Sequence, residues 1–246
     1  MTVLTQQIEE EIEYPSSDGE PMAESDITRD YMTYGVEALK QHFQGRSDVY
    51  VSANSFVYYE EGNKSAVVSP DIYVVFGVRK RQRDNYKIWK EAGIAPHFVL
   101  EITSETTQEV DREIKPETYR SLGVREYFQY DPSGDYLNPI LQGVRLVNNQ
   151  YEPIPVNNIA FDTLWLYSEV LGLELHLVSG ELRFRNPQTG EFLKTYQQSE
   201  QARLAAESAL RSLISHLLNS GMNLEQVAQM MNLSTSEAQR LIGENE

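Results

Sequence analysis

Cysteine is absent from all 246 residues of this chain. That absence excludes a disulfide scaffold, a thiolate zinc site and a cysteine nucleophile, and it agrees with a reducing compartment. Long apolar runs are also missing: the longest, residues 72–76, has five residues, whereas a membrane-spanning helix needs about 20. The start is rich in glutamate and lacks the basic and apolar regions of a secretory signal. We therefore expect a cytoplasmic protein that makes no membrane contact.

Basic residues are scarce, with 21 Lys and Arg against 37 Asp and Glu and a net charge of −16. Such acidity argues against broad nucleic-acid contact, because phosphate binding depends on cations. The charge is uneven, however. Residues 1–30 hold nine acids and one base, whereas residues 79–90, the basic segment, hold six bases and one acid. This segment is either a solvated surface or a phosphate-binding one, and its candidate DNA contacts are Arg79, Lys80, Arg81 and Arg83.

Common catalytic motifs are missing as well. The sequence has no P-loop, no GxGxxG, no GxSxG, no HExxH and no EF-hand loop. Its four histidines are scattered without metal-ligand spacing. These absences leave the acidic residues as the candidates for a catalytic site.

The pattern of apolar residues predicts an α/β fold. Apolar residues at helical spacing over residues 32–43 predict an amphipathic helix, and alternation over residues 97–103 predicts a buried strand. A capping box at Thr106 predicts a helix that ends at Gly123, with Pro116 kinking or splitting it. Residues 140–185 read as an added β-meander, with strands over residues 141–147, 151–156, 173–178 and 182–185 and turns at Asn148-Asn149 and Ser179-Gly180. Residues 196–219, 224–231 and 235–241 read as helices.

Two acids stand out in the strand region. Asp71 follows Pro70 at the start of an apolar strand, and Glu101 lies inside another. A carboxylate in such a strand is costly unless it meets a cation or several donors. Magnesium prefers carboxylate and carbonyl oxygens, so Asp71, Glu101 and the carbonyl of Ile102 form a sensible site for Mg²⁺ or Mn²⁺.

Four stretches in a fixed order resemble the Uma family of restriction endonucleases, within the PD-(D/E)XK nuclease superfamily. They are Ser69-Pro70-Asp71 before IYVVFGV, residues 96–104, the spacing of Asp111, Lys115 and Tyr119, and residues 123–128 followed by Asp131-Pro132. The resemblance spans residues 20–190. It implies a restriction-endonuclease-like fold, with a central mixed β-sheet flanked by helices, and magnesium-dependent cleavage of DNA.

Site residues follow from the resemblance position by position. Asp71 and Glu101 match the two metal-binding acids of the motif, and Glu24 matches an acid of the first helix. The motif lysine belongs two residues after the second acid, where this chain has Thr103. Related families move that lysine to the next helix, and Lys115 stands in the matching place. A helix ion pair with Asp111, four residues earlier, is the alternative for Lys115.

Three segments are expected: an acidic mobile leader over residues 1–20, a nuclease domain with its β extension over 21–190, and a helical tail over 196–246. The tail has helix-turn-helix spacing, but residues 224–242 hold a single base, Arg240, so we favour dimerisation or docking and expect a homodimer. Two alternatives to the enzyme stay open. One is a catalytically silent nuclease fold that binds nucleic acid or a protein, and the other is a scaffold whose two acids pair with Arg or Tyr.

Overall fold

The computed structural model describes residues 13–16, 25–104, 114–160 and 163–243. Residues up to Leu193 form one compact unit, and residues from Lys194 onward form another. Most of the predicted leader, residues 1–20, lies outside the described residues. Among the described helices, none has the length and apolar character needed to cross a membrane.

The elements of the first unit are numbered in chain order. The described helices are α1 (Asp26–His42) and α2 (Lys115–Ser121), with a 3-10 turn at Ile88–Glu91. The described strands are β1 (Val49–Ser52), β2 (Val57–Tyr58), β3 (Val67–Val68), β4 (Ile72–Phe76), β5 (Tyr86–Lys87), β6 (Phe98–Ile102), β7 (Glu126–Tyr130), β8 (Leu141–Val147), β9 (Gln150–Pro153), β10 (Asn157–Ala160), β11 (Thr163–Ser168), β12 (Leu173–Val178) and β13 (Glu181–Arg185).

A six-stranded mixed sheet in the order β1-β4-β6-β7-β8-β9 forms the centre of the unit. Strands β6 and β7 run parallel, and the other neighbours in the sheet run antiparallel. The parallel pair is connected through the segment that ends in α2, as a crossover connection requires. This sheet and its flanking helices confirm the predicted α/β fold class.

The central sheet is buried on both faces, which explains the near-continuous apolar sequence of β4. Helix α1 packs on one face through Met32, Val36 and Leu39, spaced four and three residues apart. Gly35 allows the close approach, since an added Cβ would stand 2.3 Å from the Ile72 side chain. The opposite face is rich in tyrosine and includes Tyr119 of α2.

The segment predicted as one added β-meander divides between two sheets. Strands β8 and β9 extend the central sheet, whereas β10 to β13 form a separate four-stranded sheet. This second sheet is not an accessory, because its Leu166, Leu175 and Phe184 belong to the same apolar core as α1. The hairpin turns at Asn148-Asn149 and Ser179-Gly180 are as predicted, with positive φ at all four residues. Strands β10 and β11 were not predicted.

The second unit consists of helices α3 (Tyr196–Asn219), α4 (Leu224–Met230) and α5 (Thr235–Gly243), as the sequence predicts. Capping boxes begin the first two, with Thr195 and Gln198 at α3 and Asn223 and Gln226 at α4. The apolar contacts of this unit involve Ile214, Val227, Ala228 and Ala238.

Candidate active site

Asp71 and Glu101 lie side by side at one edge of the central sheet. The antiparallel pairing of Ile72 with Leu100 places the preceding Asp71 next to Glu101. Their backbones and side chains are interlocked: the Ile102 N–H donates to Asp71 Oδ2 at 2.7 Å, and the Asp71 N–H approaches Glu101 Oε2 at 3.4 Å. Glu101 is fully buried, and Asp71 is partly exposed. Two carboxylates therefore share one site, with solvent reaching it from the side of Asp71.

Lys115 reaches this site from α2. Its Nζ donates to Glu101 Oε2 at 2.9 Å, and its side chain is 17% exposed. Lys115 is the first residue of α2, and the helix start predicted at Thr106 lies outside the described residues. Pro116 explains the helix start, because proline is tolerated in the first turn of a helix and not in its interior. Residues 105–113, including Asp111, lie outside the described residues.

Tyr119, one helical turn after Lys115, is the second group of α2 that contacts Glu101. Its hydroxyl donates to Glu101 Oε1 at 2.5 Å, and its side chain is buried. Burial, together with the adjacent Glu101 charge, raises the pKa of Tyr119 well above its ordinary value, so the phenol keeps its proton. The sequence offered a signal for this contact, because residues four apart lie on one helix face. Tyr119 belonged to the motif spacing, but no role was predicted for it.

The other predicted ligand positions contribute less to the site. Thr103, in the place of the motif lysine, is buried, and among the described residues its hydroxyl has no hydrogen-bond partner. Glu24 lies outside the described residues. Within the part of the chain that the structure describes, no group of three or more His, Asp or Glu side chains surrounds a common point. The described carboxylate donors at this edge are thus the pair Asp71 and Glu101.

The basic segment follows the end of β4 opposite to Asp71, and that strand end lies about 17 Å from Asp71 at the rise of a strand. Arg79, Lys80 and Arg81 are exposed there. Arg83 differs in its surroundings from these three residues, and its role as a DNA contact stays a prediction. Its side chain is only 3% exposed, its guanidinium lies 4.3 Å from the Tyr50 ring centre, and its Nε donates to Glu91 at 2.9 Å.

Arg83 is therefore a structural cation. It also donates to the carbonyl oxygens of Arg79 and Arg81, which shapes the basic segment. The hydrogen bonds from Arg83 hold the pKa of the Glu91 carboxyl below its usual range. A planar guanidinium suits this combination of stacking and ion pairing, whereas a lysine would not.

The comparison with family profiles decides the identity of the first unit. The Uma2 family, described as "Putative restriction endonuclease", matches residues 4–179. The chain belongs to the Uma2 family. This membership confirms the resemblance drawn from the ordered motifs around Asp71 and Glu101. No curated protein sequence matches this Uma2 chain.

One solved structure similar to this Uma2 chain is titled a putative nuclease belonging to DUF820, from Anabaena variabilis ATCC 29413. The two share 14% sequence identity and a TM-score of 0.36, over 57% of this chain and 75% of that chain.

Proposed function

We propose that this Uma2 chain is a divalent-metal-dependent endonuclease that hydrolyses phosphodiester bonds of DNA. The observation that supports it best is the meeting of Asp71, Glu101 and Lys115, which three separate segments deliver to one edge of the sheet. Two adjacent carboxylates repel each other, and their pairing is costly unless cations lie close by. Membership of a family described as restriction endonucleases supports the same chemistry.

The donor set fits Mg²⁺ or Mn²⁺. Asp71 and Glu101 would hold the ion with the backbone carbonyl of Ile102, all of them the hard oxygen donors that such ions prefer. Two carboxylates are enough, because Mg²⁺ keeps several waters in its coordination shell. When bound, the ion would supply Lewis acidity toward a phosphate oxygen and would lower the pKa of water. Glu24 stays a predicted additional ligand.

The protein groups would act by positioning and by charge. In the hydrolysis, the oxygen of water forms a bond to phosphorus while the bond to the leaving sugar oxygen breaks, and that oxygen is protonated. Lys115 would orient the water and stabilise the negative charge that develops on the phosphate. Tyr119 fixes one oxygen of Glu101, and the Ile102 N–H fixes one oxygen of Asp71. The carboxylates are thus held in place before substrate arrives.

The exposed cations of the basic segment would contact DNA away from the cleaved bond. Arg79, Lys80 and Arg81 follow the far end of β4, which lies about 17 Å from Asp71, roughly five base pairs of duplex at 3.4 Å each. Contacts at that distance would position the substrate without specifying its sequence.

Cleavage of supercoiled plasmid DNA with Mg²⁺, with Mn²⁺ and with chelator tests this function. We expect metal-dependent nicking or linearisation by the wild-type protein, and none by Asp71→Ala at an unchanged melting temperature. Asp48→Ala is the matched control, because Asp48 is an exposed acid paired with Arg46 far from the site. Absence of cleavage with every divalent metal would favour the catalytically silent alternative. The expected homodimer is measured separately, by sedimentation of the full chain.

A further inference from the structure

A row of four polar side chains crosses the tyrosine-rich face of the central sheet. Strand pairing places Glu101 opposite Gln129 of β7, and Gln129 opposite Gln142 of β8. Paired residues on neighbouring strands project from the same face, so Asp71, Glu101, Gln129 and Gln142 form one row. Neighbouring strands lie about 4.8 Å apart, so the two amides stand one and two strands beyond the carboxylate pair.

A cavity of about 480 Å³ lies over the amide end of this row, which is a size typical of small-ligand pockets. Gln129 and Gln142 line it together with the loop of residues 134–138. The loop is held by the buried Asp131, whose carboxylate accepts hydrogen bonds from the backbone N–H groups of Ser133, Gly134, Tyr136 and Leu137. These bonds outweigh burial and lower the pKa of Asp131, so the loop stays anchored at neutral pH.

The lining of this cavity suits a neutral, planar, polar group. Among the described residues that line it there is no lysine or arginine, and Asp135 is the one charged residue, so a phosphate would be repelled. Three amides, Gln129, Gln142 and Asn138, line the cavity, with Gln142 Nε2 donating to the Pro139 carbonyl at 2.9 Å, and Tyr136 adds an aromatic ring. Amide pairing with base edges and stacking on tyrosine are the two common ways in which proteins bind an unpaired nucleobase.

We propose that the cavity lined by Gln129, Tyr136 and Gln142 binds one nucleobase of the substrate strand. This proposal rests on the proposed function, because it assigns the base to a nucleotide next to the phosphate held at Asp71 and Glu101. A base can enter such a cavity only when it is unpaired or turned out of the duplex. The substrate class that follows is DNA whose nucleotide at the cleaved position is unpaired or can be turned out of the duplex.

Binding of short single-stranded oligonucleotides, measured by fluorescence anisotropy in chelator, tests the base site without requiring catalysis. The probes are a DNA of mixed sequence and an abasic sugar-phosphate strand of the same length. We expect the full chain to bind the base-containing strand about 10-fold more tightly, as stacking on one aromatic side chain predicts. Gln129→Leu, Gln142→Leu and Tyr136→Ala should each reduce this difference and leave binding of the abasic strand unchanged.

The control is Gln150→Leu, which replaces an exposed amide on β9. This variant should retain the full difference in affinity between the two strands. Equal binding of both probes by the wild-type protein would overturn the proposal, as would a difference that survives all three substitutions in folded protein. Plasmid cleavage is scored separately. If the protein prefers the base-containing strand but does not cleave plasmid, the base site is retained and the nuclease function is rejected. If it cleaves plasmid but binds both strands equally, the nuclease function is retained and the base site is rejected.

Discussion

Two fully buried glutamates lie on the neighbouring parallel strands β6 and β7, at opposite ends of the sheet and on opposite faces. Glu126 forms an ion pair with Arg145 and accepts hydrogen bonds from Arg145 Nε, from the Ser168 hydroxyl and from the Glu169 N–H. Among the described residues, Glu101 accepts hydrogen bonds from the Lys115 ammonium and the Tyr119 phenol, and it lies beside a second carboxylate, Asp71.

The difference between these partner sets separates a structural acid from a candidate catalytic one. The partners of Glu126 come from β8, from the last residue of β11 and from the turn that follows it, so this carboxylate ties the second sheet to the central one. Around Glu101, by contrast, two carboxylates lie next to each other at the solvent-accessible ends of β4 and β6. A buried acid on a strand is therefore not a functional signal by itself. What distinguishes Glu101 is the second carboxylate directly beside it, because Asp71 is hydrogen-bonded to both Glu101 and Ile102.

The strongest test removes the negative charge of each glutamate in turn. We expect Glu101→Gln to lower the rate of plasmid cleavage by about 1000-fold or more, because it removes a proposed metal ligand. Glu126→Gln should leave the cleavage rate per folded molecule unchanged and should lower the melting temperature. Equal loss of rate in both variants would contradict the distinction between them.

Arg145→Ala tests the structural side of the comparison. Removing one partner of a buried ion pair leaves the other charge uncompensated, so we expect a loss of about 3 kcal/mol in the free energy of unfolding. Urea denaturation measures it. Arg120→Ala is the control, because Arg120 pairs with the exposed Glu117 and should cost less than about 1 kcal/mol. A small effect of Arg145→Ala would show that hydrogen bonds alone stabilise Glu126.

Lys115→Ala tests the catalytic side. Losing the cation that orients water and stabilises developing charge should slow cleavage by about 100-fold. The substitution also removes the Lys115 ammonium that neutralises Glu101, so the variant should have a lower melting temperature in chelator. Added Mn²⁺ should raise that melting temperature again, which thermal melts would measure. If Mn²⁺ does not raise the melting temperature of the variant and the cleavage rate is unchanged, Lys115 only forms an ion pair with Glu101.

The smallest effect concerns the basic segment. Joint replacement of Arg79, Lys80 and Arg81 with Gln should weaken DNA binding about equally for all sequences, and it should reduce the salt slope by about one for each phosphate that the variant no longer binds. Arg83→Gln is the informative control, because its buried guanidinium should affect stability rather than the salt slope. An unchanged slope in the triple variant would identify the segment as a solvated surface.

Sequence alone determined the features that depend on local chemistry. The period of apolar residues placed α1, β6 and the three C-terminal helices, and Asn148-Asn149 and Ser179-Gly180 placed two hairpins, because positive φ favours such residues. The ordered motifs also singled out Asp71, Glu101 and Lys115, although Thr103 replaces the motif lysine. Each of these features can be identified from residues close together in the sequence, or from motifs that occur in a fixed order along it.

Only the tertiary structure decided the features that depend on strand order and side-chain partners. Strand β8 pairs with β7 after a connection of ten residues, and β1 pairs with β4 although two short strands lie between them in the sequence. No local pattern therefore reveals the row from Asp71 to Gln142. The different partners of Glu101 and Glu126, and the burial of Arg83 against Tyr50 and Glu91, follow from contacts that the three-dimensional fold creates. The free energy of a buried charge is set by its surroundings, and those surroundings exist only once the sheets have packed.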